Sequence, residues 1–184
     1  MKGMVFTELL SFVEQIHGAD AVDDLIDACD LPSGGAYTAV RIYDHTEMQS
    51  LVAALSRQSN TPQNELLELF GLHLIGCFRV SFPDFFNAAP TLFDFLESID
   101  RHIHVEVRKL YPDAELAKFH AERLDNETMH FDYISCRPFE ALAAGLIRGA
   151  AQTYGEPIRL ERSYHVSDGG NVVRFSIERM VPVH

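Results

Sequence analysis

Two short stretches of the chain hold side chains whose types and spacing could do chemistry. In "DRHIHVEVRKLYP", residues 100–112, His102 and His104 stand two apart. An imidazole offers either a proton acceptor near neutral pH or a metal ligand. On a helix, positions i and i+2 diverge, so the pair does not chelate one ion together. Spacing does not choose between them: His104 shares a side with Phe93 and Val107, and His102 with Phe95 and Ile99. In "HFDYISCRPF", residues 130–139, an extended strand puts Tyr133, Ser135 and Arg137 on one face. Two hydroxyls and a planar fork of N–H donors then line up over roughly 13 Å, at about 3.3 Å per residue. That row reads as a clamp for carboxylates or phosphates, or as a solvated polar face.

Other signatures of chemistry are missing from the sequence. It contains no HExxH, GxSxG or GxxxxGK[ST] segment. Gly34-Gly35 and Gly169-Gly170 read as turn residues, and the acidic residues are scattered. The remaining histidines form no spaced set, and no cysteine–histidine cluster has zinc spacing. The three cysteines, Cys29, Cys77 and Cys136, are few and far apart, which argues for a reducing compartment. Cys77 and Cys136 read either as core thiols or as oxidation sensors. A net charge of −12 repels phosphate backbones and anionic membranes, so neither nucleic acid nor membrane is expected as a partner. The opening segment does not have the pattern of a secretory leader, and no run reaches transmembrane length, so a cytoplasmic location is expected.

The elements that must position these residues follow from hydrophobic period. Apolar residues recur at helical spacing over 2–17, 20–29 and 46–58. A fourth helix is expected after Thr61 as cap and Pro62 in the first turn, near-continuously apolar from Leu66 to Phe78. "SFPDFFNAAP" is expected as a loop, and 91–110 as one helix stopped by Pro112. The period then changes to two. One hairpin turns at Asp125-Asn126, a helix covers 138–153, and a second hairpin turns around Ser167-Asp168-Gly169-Gly170. Val173, Phe175 and Ile177 share one strand face. The prediction is a single domain over 1–184 of the α+β class: a helical N-terminal lobe, and a C-terminal lobe with a four-stranded antiparallel sheet and helices.

A Phe-rich helical lobe, an anion clamp and an inward histidine together suit an amphiphilic cofactor. Haem is such a molecule, with an apolar ring, two propionates and an iron that takes an axial histidine.

The chain resembles the H-NOX family of haem nitric oxide/oxygen-binding domains, as found alone in bacteria and in soluble guanylate cyclase. The resemblance rests on "MKGMVFTELLSFVEQIHG", on the His-x6-Tyr-Pro segment "HVEVRKLYP", and on the Tyr-x-Ser-x-Arg match "YISCR". It implies haem b buried between the two lobes, with His104 rather than His102 on the iron and Tyr133, Ser135 and Arg137 on the propionates. It places Leu142 near the position where oxygen-binding members carry a distal Tyr, with Val5, Leu9 and Phe78 as further apolar lining. Without a donor beside it, bound dioxygen is disfavoured, so nitric oxide, and carbon monoxide with it, are the expected ligands. Binding opposite His104 is then expected to weaken the His104 bond to iron, relax the haem and shift one lobe against the other. The resemblance further implies a non-enzymatic sensor that signals to a histidine kinase, or to a diguanylate cyclase or phosphodiesterase.

Two departures qualify the resemblance. Ala117 stands where many members have a proline against the haem, and the closing hairpin "SYHVSDGGNVVRFSI" has no cysteine, so no structural zinc is expected. Two other readings are a haem-free module for an anionic ligand or protein partner, and an oxygen-handling haem protein.

Overall fold

Helices form where apolar residues recur every three or four positions, and a computed structural model describes them over residues 1–113, 115–167 and 170–180. Helix α1 (Gly3–His17) buries Phe6, Leu9, Phe12 and Val13. Helix α2 (Ala19–Asp27) adds Leu25, and α3 (His45–Ser59) adds Met48, Leu51 and Leu55. Asp44 caps α3, its carboxylate accepting the Thr46 N–H. Helix α4 (Gln63–Ser81) is capped by Pro62 itself, so Thr61, expected as the cap, lies one residue too early. Its apolar run is not buried all round either, because Leu69 is 43% exposed.

Two expectations fail in the next stretch. "SFPDFFNAAP" holds a short helix, α5 (Pro83–Asn87), with Pro83 where no amide donor is needed and Phe86 buried. The single helix expected over 91–110 is three pieces: α6 (Leu92–Ser98), a π turn over Ile99–Ile103, and α7 (His104–Leu110). In the π turn the His104 N–H reaches the Ile99 carbonyl, so one extra residue enters the turn before His104. Helix α7 ends as expected before Pro112, where Tyr111 leaves helical space.

The sheet is antiparallel throughout, in the order β1-β2-β4-β3. Its strands are β1 (Lys118–Arg123), β2 (Thr128–Ile134), β3 (Ile158–Ser167) and β4 (Gly170–Arg179). The register sets Met129 opposite Ile177, Phe131 opposite Phe175 and Tyr133 opposite Val173. All six are buried, so the alternation foreseen for β4 builds one apolar face. Of the second hairpin's expected turn, Asp168 and Gly169 lie outside the described residues.

Helix α8 (Glu140–Tyr154) joins the lobes. Leu142 belongs to the helical lobe's core, and Ala143, Ile147 and Ala151 to the sheet's. It crosses α4 at backbone contact: a Cβ on Gly145 would overlap the Glu68 carbonyl, and one on Gly71 the Leu142 carbonyl. Glycine at both positions lets the two helices approach this closely.

Candidate functional site

The π turn and α7 deliver His104 to the wall of a cavity of about 230 Å³ between the lobes. Helix α1 contributes Met4 and Val5, and α4 contributes Ile75 and Phe78. Phe82, Phe85, Phe86 and Phe95 add a run of aromatic rings. Beside His104 stand Ile103, Val107 and Tyr111. The polar exceptions are few. The Lys2 ammonium donates to the Val40 carbonyl at 2.6 Å and lies 3.7 Å over the Tyr111 ring.

His104 is held from behind. Its Nδ1 lies 2.7 Å from Asp100 Oδ1, while the second carboxylate oxygen of Asp100 accepts the Phe119 N–H of β1 at 3.0 Å. Nε2 makes no hydrogen bond among the described residues. Burial pulls the His104 imidazole below its ordinary pKa, against the opposing pull of Asp100. The ring is therefore neutral at physiological pH, with one nitrogen anchored and the other left as a lone-pair donor. His102 is exposed.

The polar row takes a different form from the one expected. Strand β2 ends at Ile134, so Tyr133 alone of the three lies on it. Ser135 and Arg137 sit in the loop before α8. There they brace one another: the Tyr133 hydroxyl donates to the Arg137 carbonyl at 3.1 Å, and the Arg137 N–H donates to Ser135 Oγ at 3.1 Å. Burial raises the Tyr133 pKa, which keeps the phenol a donor. The Arg137 side chain is 13% exposed and holds the Glu115 carboxylate as well as the Glu115 carbonyl, the latter at 3.0 Å. The fork is thus arranged as a carboxylate receptor, in a loop rather than along a strand. Burial, and after it the Arg137 guanidinium, lowers the pKa of the Met1 amine.

The structure brings Val5, Phe78 and His104 to one cavity. It sets Leu9 and Leu142 in the adjacent helical core, outside the cavity wall. Tyr133, Ser135 and Arg137 border a separate cleft, which shares no lining residue with that cavity. Sequence reasoning missed Asp100 and the Phe82–Phe86 aromatic wall. The i, i+4 spacing of Asp100 and His104 was a usable signal for the first. Ala117 packs against the sheet's core. Cys136 is exposed, which corrects the core reading for that thiol, and Cys77 is half-buried. No helix among the described residues is long and apolar enough to cross a membrane.

Fold and site together define a two-lobed α+β protein with a carboxylate-anchored histidine facing an apolar cavity. The chain matches the Haem-NO-binding family over residues 2–162 and belongs to it. It is similar to the Fe(II) unliganded H-NOX protein of K. algicida, with 32% identity, a TM-score of 0.91, and coverage of 100% of this chain and 99% of that one. It is similar to the H-NOX protein of Shewanella woodyi, solved in the Fe(II)CO ligation state, with 41% identity, a TM-score of 0.83, and coverage of 98% and 95%. An H-NOX protein of S. oneidensis in the Fe(II)NO ligation state shares the fold at 24% identity, with a TM-score of 0.89 and coverage of 98% and 100%.

Proposed function

We propose that this protein is a haem-based gas sensor that binds nitric oxide, and carbon monoxide with it, in preference to dioxygen and signals to a separate partner protein. The observation that carries the reading is His104, anchored through Nδ1 by Asp100 and lining an apolar cavity. Metal-bound histidines commonly donate their other ring N–H to a carboxylate in this way. The cavity walls suit a porphyrin face, and the Arg137 fork, already holding a carboxylate, suits a propionate. The residues present therefore fit a haem b. His104 would hold the iron, Arg137 with Tyr133 and Ser135 would hold the propionates, and Val5 and Phe78 would face the ring. Leu9 and Leu142 back that wall from the core.

A haem held there would supply a ferrous iron able to bind a diatomic gas. The rest is the work of this chain. Asp100 fixes the tautomer and plane of His104 and ties it to β1 through the Phe119 N–H. A displacement of His104 is therefore passed to the sheet. The Phe-rich wall excludes water, and Met4, Val5, Ile75 and Phe78 offer a bound gas no hydrogen-bond donor. Dioxygen, which draws negative charge onto itself when bound, gains nothing from such a wall, while nitric oxide and carbon monoxide need no donor. The family's description as haem-NO-binding and the CO-ligated Shewanella woodyi relative support the ligand class. The output of such a sensor would pass to a partner, a histidine kinase or a cyclic-di-GMP synthase or phosphodiesterase.

The test is an anaerobic absorption spectrum of the reduced, haem-loaded protein before and after nitric oxide, and then in air. A haem that takes nitric oxide, forms no stable oxygen complex and is lost in His104→Ala supports the reading. A folded protein that takes up no haem overturns it.

A further inference from the structure

Outside the cavity, three potential metal ligands converge between α1 and α4: Glu8, His73 and Cys77. His73 and Cys77 are one turn apart on α4, and Glu8 reaches them from α1. The same imidazole nitrogen, Nε2, lies 3.4 Å from Cys77 Sγ and 3.7 Å from Glu8 Oε2. Two ligand atoms on one tetrahedral zinc lie roughly 3.4–3.6 Å apart, from bonds of about 2.0–2.3 Å. The two distances from the imidazole therefore stand close to tetrahedron edges, and all three ligand atoms lie within 4.8 Å of one another. None of the three residues lines the cavity.

We propose that Glu8, His73 and Cys77 form a metal site for zinc, with a fourth position left to water. The donor set is one oxygen, one nitrogen and one sulfur, which matches a borderline-soft divalent ion rather than magnesium or calcium. All three side chains are half-buried, so ordering them costs little, and the site remains open to solvent. Without metal, burial and the neighbouring Glu8 carboxylate push the Cys77 thiol up to about 11. On binding, sulfur takes the metal and its proton leaves to solvent. Bound zinc clamps α1 to α4, two helices that also line the cavity. The pair His73-x3-Cys77 is visible in the sequence, but the third ligand comes from another helix and only the fold supplies it. From the sequence no zinc is expected and no cysteine–histidine cluster has zinc spacing, so the proposed site departs from that expectation.

The experiment is a zinc chloride titration of the full chain, stripped with chelator and desalted, with thiol alkylation mapped by mass spectrometry. We expect one zinc per chain. Cys77 should become protected from N-ethylmaleimide while the exposed Cys136 stays reactive. Cys77→Ser and His73→Gln should each weaken binding by more than about tenfold, and Glu8→Gln by a smaller factor, while Cys136→Ser has no effect. If the first two variants do not fold, Glu8→Gln and the protection of Cys77 in the unmodified chain decide the matter. Equal alkylation of Cys77 with and without zinc, or stoichiometric binding unchanged in Cys77→Ser or Glu8→Gln, overturns the site.

Discussion

Asp100 and His104 stand one turn apart across a π turn, Oδ1 to Nδ1 at 2.7 Å, and the same carboxylate reaches β1 through the Phe119 N–H. The i, i+4 spacing puts both groups on one side of the helix, and Asp100 links the His104 imidazole to the sheet.

If Asp100 sets the basicity and plane of His104, Asp100→Ala should weaken haem retention by about 10–100-fold. Transfer of haem to a scavenger protein measures this. The exposed His102, changed to Ala, should leave the rate unchanged.

Glu115 occupies the guanidinium that a propionate would need. Removing its side chain frees Nη2 of the fork, while Nη1 keeps the Glu115 carbonyl. Glu115→Ala should therefore raise haem affinity, by up to about tenfold or 1.4 kcal/mol, while Arg137→Gln should lower it. Haem titration of the stripped protein reads both, and a fall in affinity for Glu115→Ala would show that the ion pair supports the site rather than competing for it.

Glu47 is 4% exposed in the helical lobe. Its carboxylate accepts from the Ser33 hydroxyl, the Ser33 N–H at 3.3 Å and the Tyr37 hydroxyl at 3.0 Å. Glu47→Ala removes the shared acceptor of these half-buried donors and should cost about 1–2 kcal/mol in urea unfolding. The Tyr37 phenol, pushed up to about 12 chiefly by burial, does not ionise in any ordinary buffer.

Asp132 and Arg174 face each other across β2 and β4, bonded at 2.7 and 2.9 Å. The guanidinium holds the Asp132 carboxyl below its ordinary value of 3.8. The unfolded chain takes up the proton first as pH falls, so the pair's contribution is complete above about pH 4 and is lost below it. Water reaches the pair, so that contribution is about 1 kcal/mol. The stability gap between the protein and Asp132→Asn, measured by urea unfolding at stepped pH, should be constant near neutrality and close as the pH falls below about 4.

Hydrophobic period determined much of this protein by itself. It placed α1, α3, α4, α8 and the strand pairs to within a few residues, because a buried face must repeat with the geometry of its element. It could not find the π turn before His104, since 91–110 keeps its apolar pattern through the insertion. It also extended β2 through Ser135 and Arg137, because alternation in "YISCR" continues after pairing with β4 has ended at Ile134. Residue types alone suggested an imidazole and an anion receptor. The fold decided which imidazole faces the cavity, that Asp100 stands behind it, that Glu115 meets Arg137, and that Glu8 joins His73 and Cys77. Those are contacts between distant segments, and they exist only once the lobes have packed.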